Sequence, residues 1–312
     1  MTIPVLFCID EKFWQHAAVS IASLLENNPQ STFRIFVVSA AEMNMAEVAK
    51  LRTMIEAAGS TLEPIVYSQA TAYQHLPTHK HLTFAVYLRL FITEYIERSI
   101  DKILYLDSDI IVCSDITELW SLPLGDAYIA AAREPYDRAQ REPLGFSSTD
   151  LYINAGVMLV NLKQWRTDEV LPRLLDFAEK NQKIIPSLDQ DTINGVFRGR
   201  IREIGYQWNW QALFPRFTPA ELGLDSETFS ALRRAPKIVH FTSRYKPWFY
   251  RWQPHYKEMY YRYLGSTPWA AYKPPDRSWA NFPKYSVKCI QRALEWHLPS
   301  FARALRNLKE AS

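Results

Sequence analysis

The sequence predicts an α/β protein, a mostly parallel central sheet with helices on both faces, followed by a basic helical tail. Short apolar runs without polar alternation recur through the first half, as in strands buried on both faces. Between them lie segments with apolar residues at helical spacing, so that strand and helix alternate. From about residue 265 onward Pro268, Pro274, Pro275 and Pro283 interrupt the pattern and basic residues accumulate. The expected division is therefore one large α/β unit over 1–265 and a distinct segment over 266–312.

Taken in order, "IPVLFCI" is a strand that ends at Asp10, and "FWQHAAVSIASLLENNP" is a helix that stops at Asn27-Asn28-Pro29. "FRIFVVS" is the second strand, "AEMNMAEVAKLRTMIEAAG" a helix closed by Gly59, and "TLEPIVY" the third strand. "TFAVYLRLFITEYI" reads as a helix leading into the strand "ILYL". "YINAGVMLVNL" is a strand with Gly156 inside it, and "TDEVLPRLLDFAEKN" is an amphipathic helix with acidic residues in its first turn, where the helix dipole favours them. "SLDQDTINGVF" opens another helix, and "KIVH" is a short strand ending at His240.

At 312 residues, 48% hydrophobic and 22% charged, the chain has ample core and is neither disordered nor fibrous. A net charge of +3 gives no ground for a nucleic-acid partner. Cys8, Cys113 and Cys289 form neither a metal spacing nor an even disulfide framework, which points to a reducing compartment. The start lacks a basic n-region, and no run of about 18 apolar residues occurs, so a cytoplasmic protein without a spanning helix is expected. G-x-G-x-x-G, G-x-x-x-x-G-K-[ST], G-x-S-x-G and H-E-x-x-H are all absent, and with nine glycines a phosphate is better held by a cation than by loop amides.

"ILYLDSDIIV" sets Asp107 and Asp109 between two buried runs. Ligands of parallel sheets sit at the carboxyl ends of strands, and Asp10 occupies another such end. A D-x-D triplet alone is weak, because about one is expected by chance in a chain of this length; a solvated turn or a helix cap would also explain it. Asp115 with Glu118 already supplies a capping pattern for "ITELW". Two carboxylates about 4 Å apart repel by roughly 4 kcal/mol at an effective dielectric near 20, and a divalent cation turns that repulsion into attraction. Residues i and i+2 of an extended segment point to the same side, so both can reach one ion. His240 is a candidate third ligand, though a histidine at a strand end is commonly structural. Two oxygens and an imidazole suit Mn²⁺, with Mg²⁺ as the alternative. Lys246, in the following loop, stands where it could offset diphosphate charge.

"ILYLDSDIIV", "INAGVMLVNLKQW", "LDQDTINGVF" and "HFTSRYKPW", in that order, resemble the retaining glycosyltransferases of family 8, closest to bacterial lipopolysaccharide and lipooligosaccharide galactosyl- and glucosyltransferases. The resemblance covers about residues 3–250. It implies a GT-A fold, a nucleotide-sugar donor (UDP-galactose or UDP-glucose), a saccharide acceptor that is free or lipid-linked, and a divalent cation. It assigns Asp107, Asp109 and His240 to the metal, with Ser108 between the two aspartates on the nucleotide-sugar side. Asp10 and the backbone of Cys8 match the uracil site, His81 and Arg89 the diphosphate and sugar contacts, and Asn154, Ala155 and Asp189 the donor sugar. Gln190 matches the residue beneath the anomeric carbon, and Lys246 the diphosphate ligand. Two departures stand out: Glu11-Lys12 replace a small acidic or amide pair, and Ser243 replaces a frequent glycine. An amide at Gln190 is a poor nucleophile, which favours front-face attack over double displacement, with Asp189 the fallback nucleophile.

Aromatic residues crowd positions 241–272, either as an acceptor platform or lipid-facing belt, or as local core. In "KYSVKCIQRALEWHLPSFARALRNLKEAS" an apolar stripe from Val287 to Leu308, flanked by Lys and Arg, suits a helix on anionic lipid, peripheral on the inner face of the bacterial cytoplasmic membrane; packing against the catalytic unit is the other reading. Pro299 should break that segment. Alternatives for the whole chain are a self-glucosylating primer protein of the glycogenin kind and a sugar-nucleotide-binding protein without turnover.

Overall fold

The computed structural model describes residues 2–73, 84–135, 141–185 and 187–310. A seven-stranded sheet forms the centre, in the order β3-β2-β1-β4-β7-β6-β8. Its strands are β1 (Thr2–Cys8), β2 (Thr32–Ser39), β3 (Thr61–Val66), β4 (Lys102–Leu106), β6 (Ile129–Arg133), β7 (Ile153–Asn161) and β8 (Ile201–Ile204). β3, β2, β1 and β4 are mutually parallel, whereas β7 runs antiparallel to both β4 and β6. The apolar runs that predicted strands are the buried ones: Val5, Leu6, Ile35, Val37, Leu104 and Leu159 are fully shielded.

Both faces are covered. Helices Trp14–Glu26 and Met45–Ala57 pack Ala17, Ile21, Leu51 and Ile55 against one face. Segment Phe84–Phe91 with helices Val170–Lys180 and Leu188–Phe197 covers the other. The sequence reads Thr83–Ile96 as one helix, but Phe84–Phe91 is a 3₁₀ turn, and only Ile92–Tyr95 is α-helical. The tighter winding eclipses residues three apart, which brings Val86 and Arg89 to the same cleft wall, with the Arg89 Nε donating to the Val86 carbonyl at 3.1 Å.

A second, three-stranded sheet, β5-β10-β9, branches from the end of β4. β5 (Ile110–Val112) is antiparallel to β10 (Ile238–His240), and β9 (Trp210–Gln211) is parallel to β10. The register pairs His240 with Ile110, and the Phe241 amide continues the ladder to the Asp109 carbonyl at 2.9 Å. Residues 130 positions apart in sequence therefore meet as neighbours.

Beneath this small sheet Trp210, Phe214, Phe241, Trp248, Tyr256, Tyr260 and Tyr263 form an aromatic core. With Phe249, Tyr261, Trp269 and Tyr272 packed partly buried against it, this core takes in most of the crowded aromatics. Helices Phe282–His297 and Pro299–Glu310 are separated by the non-helical Leu298, as expected of a residue before proline. One face of the first is docked. Glu295, 5% exposed, accepts from Arg216 at 2.9 Å and meets His255 at 3.2 Å, while Arg233 lies over the Trp296 ring at 4.2 Å. The opposite face leaves Val287 and Ile290 about 60% exposed, with Leu298 and Phe301 also open. No helix among the described residues is long and apolar enough to cross a membrane.

Candidate active site

The carboxyl ends of β1 and β4, the middle of β7 and the end of β10 open onto one cleft of about 310 Å³. Cys8, Asp10, Arg89, Asp107, Ser108, Asp109, Asn154, Asp189, Gln190, His240 and Lys246 all line it, and Ala155 sits between two of them on β7. His81 lies outside the described residues.

At its floor the Asp107, Asp109 and His240 ligand atoms lie within 4.8 Å of one another. His240 Nε2 is 3.3 Å from Asp109 Oδ1 and 3.6 Å from Asp107 Oδ2. Ligands about 2.1 Å from one ion can stand up to about 4.2 Å apart, so both spacings fit a shared divalent cation. Two hard oxygens and one imidazole form a donor set that suits Mn²⁺ or Mg²⁺. Ser108 Oγ is buried without a hydrogen-bond partner among the described residues.

Gly156 makes the cluster sterically feasible. A Cβ there would fall 2.2 Å from His240 Cε1 and 2.8 Å from Asp107 Oδ2. The glycine inside this strand thus marks a close approach of backbone to the cluster side chains.

Arg89 organises the other wall. It is 6% exposed, pairs with Asp107 Oδ1 at 2.7 Å and Asp189 Oδ2 at 3.0 Å, and donates to the Ala155 carbonyl at 3.0 Å. Burial opposes its charge, but Asp107 and Asp189 outweigh it and hold the guanidinium firmly protonated. Burial likewise raises the Asp189 carboxyl to about 6, only partly countered by Arg89. Asp109 goes the other way: despite burial, Lys246 and His240 keep it well below the usual carboxylate range. Lys246 Nζ donates to Asp109 and, at 2.8 Å, to the Phe241 carbonyl.

Helix Leu188–Phe197 carries Asp189, Gln190 and Asp191 in its first turn. Asp191 turns back to the helix start and accepts from the amide of the N-cap residue Ser187 at 2.6 Å, while Asp189 faces Arg89. Gln190 Oε1 accepts the Ala155 amide at 3.1 Å, so the side chain bridges helix and strand. Ser243 adopts φ 72°, the left-handed region that explains why glycine would be at ease there.

Sequence reasoning missed several contributors. Tyr105 Oη donates to Asp107 Oδ1 at 2.7 Å; its period-2 spacing from Asp107 was the available signal. Glu134 accepts from Asn154 and Gln211 at 2.7 Å each, and Asn209 meets His240 Nδ1 at 2.9 Å. Nothing in the local sequence marks these.

The family model described as "Glycosyl transferase family 8" matches residues 4–251. Among curated relatives, "General stress protein A" of Bacillus subtilis (strain 168) is 25% identical over 85% of this chain and 94% of its own length. A "Lipopolysaccharide 1,2-glucosyltransferase" of Escherichia coli is 26% identical over 93% of this chain and 87% of its own. A solved structure of the galactosyltransferase LgtC, in complex with donor and acceptor sugar analogs, superposes with a TM-score of 0.74 at 23% identity, covering 85% of this chain and 96% of that one. That likeness speaks to the GT-A fold. With its motifs gathered at one cleft and the family model spanning most of the chain, this protein belongs to glycosyltransferase family 8.

Proposed function

We propose that the chain transfers a hexosyl group, galactose or glucose, from a UDP-sugar to a saccharide acceptor with retained anomeric configuration, in the synthesis of lipopolysaccharide or another surface glycan. The observation that carries this reading is the Asp107–Asp109–His240 cluster flanked by Arg89 and Lys246. Mn²⁺ held by those three residues would neutralise charge on the diphosphate as the sugar–oxygen bond breaks.

The chain's own groups do the rest. Lys246 sits at the same floor and supports the departing diphosphate, a stabilisation larger in the transition state than in the ground state. Arg89 fixes Asp107 and Asp189 against the donor sugar, and Asn154 with the Ala155 backbone shapes its pocket. Asp10 and the backbone of Cys8 hold the uracil at the end of β1. Gln190, an amide tied to the Ala155 backbone, lies beneath the anomeric carbon without supplying a nucleophile. Attack then comes from the same face as departure, and the leaving phosphate oxygen takes the acceptor proton. Isolation of a covalent glycosyl-Asp189 would overturn this order of events.

We further propose that residues 1–265 form the catalytic unit, and that 266–312 lays its exposed apolar and basic face on anionic lipid at the cytoplasmic membrane, where a lipid-linked acceptor resides. Val287 and Ile290, open on the helix surface, are the test. Replacing both by Asp should abolish flotation with anionic liposomes while leaving UDP release intact; equal flotation sinks the membrane assignment.

The decisive experiment for the reaction is a donor screen with Mn²⁺, reading UDP release with lipopolysaccharide cores as acceptors. Turnover of UDP-galactose or UDP-glucose supports the proposal, and no release from either donor refutes it.

A further inference from the structure

The ring orientation of a histidine ligand is set by whatever its second nitrogen bonds, because that partner decides which nitrogen carries the proton. Here the partner lies immediately before β9, the strand beside His240. Asn209 is 1% exposed and directly precedes Trp210, whose register with Val239 places the two segments side by side.

The direction of each hydrogen bond can be deduced from one end. The Gly156 amide, a backbone N–H and only a donor, reaches Asn154 Oδ1 at 3.0 Å. Asn154 therefore presents its oxygen on that side and its nitrogen to Glu134 Oε2 at 2.7 Å. The same oxygen lies 2.9 Å from Asn209 Nδ2, which must donate to it. Asn209 is thereby turned with Oδ1 towards His240 Nδ1, 2.9 Å away, and an amide oxygen can only accept. His240 Nδ1 must carry the proton, and Nε2 keeps its lone pair facing Asp107 and Asp109.

We infer that Asn209, oriented by Asn154 and the Gly156 amide, is a positioning residue that locks His240 in the Nδ1–H tautomer and aims Nε2 at the cation. The inference rests on the metal reading above for its consequence, and on geometry alone for the tautomer. Glu134 closes the relay: its carboxylate holds both Asn154 and Gln211, and Gln211 in turn accepts from Thr242 at 3.0 Å. Five side chains from four separate segments thus fix one proton.

Two measurements on full-length protein test it. Long-range ¹H–¹⁵N correlation of the imidazoles, with the His240 signals assigned by their loss in His240→Asn, reads the tautomer directly. Wild type should show Nδ1 protonated, Asn209→Ala a mixture, and Asn209→Asp, which keeps an acceptor, the wild-type pattern. Mn²⁺ titration in the presence of UDP, followed by the electron paramagnetic resonance of free Mn²⁺, should show affinity weakened about 10–100-fold in Asn209→Ala and recovered in Asn209→Asp. An Nε2–H tautomer in wild type, an unchanged tautomer in Asn209→Ala, or wild-type Mn²⁺ affinity in that variant overturns the inference. Were wild type itself to bind no Mn²⁺, the metal reading would fall, and the tautomer measurement alone would decide the relay.

Discussion

Gly156→Ala adds one methyl group to the middle of β7, and the structure says where it must go. Its Cβ would stand 2.2 Å from His240 Cε1, where ordinary contact begins at 3.4 Å. Ring or strand has to move by more than about 1 Å. The ring has little room, since His240 is 3% exposed, bonded to Asn209, and carried on a strand paired on both sides. Overpacking of this kind costs about 1–3 kcal/mol, and in a chain this long each kcal/mol lowers the melting temperature by only about 2–4 °C. Catalysis is far more sensitive, because displacing a positioned group by about 1 Å can cost about 100-fold. The expected result is a folded variant, a few degrees less stable, with UDP release reduced about 100-fold and Mn²⁺ affinity reduced with it. A double-mutant cycle separates steric conflict from general strand damage. In a His240→Ala background the ring contacts are gone and only Asp107 Oδ2, at 2.8 Å, remains close, so Gly156→Ala should destabilise less than it does alone. Additive losses, or a Gly156→Ala variant with wild-type turnover, would show that the close approach does not matter.

Asp109→Asn should nearly abolish UDP release, since it removes a cluster carboxylate, whereas Gln190→Ala should keep measurable transfer; the same assay ranks both, and complete loss in Gln190→Ala would speak for a nucleophilic or proton-handling role. Ser243→Gly relieves a left-handed serine, a conformation costing roughly 1–2 kcal/mol, against a glycine entropy penalty of about 0.5–1 kcal/mol, so denaturant melts should show stability unchanged or raised by up to about 1.5 kcal/mol. Glu295 has its pKa near 2, because His255, Arg216 and Gln291 outweigh the effect of burial. A depressed carboxylate stabilises fully above its ordinary value of 4.5 and loses that contribution as pH falls towards 2. Hydrogen-exchange protection factors in helix Phe282–His297 should therefore fall over that window more in wild type than in Glu295→Gln, and identical profiles would refute the role of Glu295 in docking.

Much of the fold was legible because burial writes itself into composition. Runs such as "ILYL" and "FRIFVVS" have no polar face, so they could only lie inside a covered sheet, and Asn27-Asn28-Pro29 and Gly59 end their helices by backbone chemistry that any neighbour would leave unchanged. Segment Phe84–Phe91 was misread as α-helix for the converse reason: its apolar spacing suits either winding, and the choice of 3₁₀ serves contacts of Arg89 to Asp107, Asp189 and the Ala155 carbonyl, all far away in sequence. The C-terminal segment showed a similar split. Its apolar stripe was visible, but only the fold reveals that Glu295 and Trp296 dock one face while Val287 and Ile290 remain open.

The candidate site divides along the same line. Lys246 is a loop cation that the family resemblance singles out, whereas Asp107, Asp109 and His240 announce themselves by sitting where a strand ends, and Arg89 by interrupting an apolar run. Residues that act by direction do not. Asn209 is one amide within "QWNWQ", and nothing in that string says that its oxygen faces a histidine while its nitrogen faces Asn154. That information belongs to the β9–β10 register and to the Gly156 backbone donor at the far end of the chain of bonds. The orienting groups are spread over β7, the segment entering β9 and the Glu134 segment, so substitution at any one of them changes the proton position on His240 while leaving the metal-binding aspartates and the histidine intact. Loss of function in a relative with intact D-x-D and histidine should therefore be sought first at the positions of Asn209, Asn154 and Gly156, where a change of hydrogen-bond direction or of one methyl group disarms the same nitrogen.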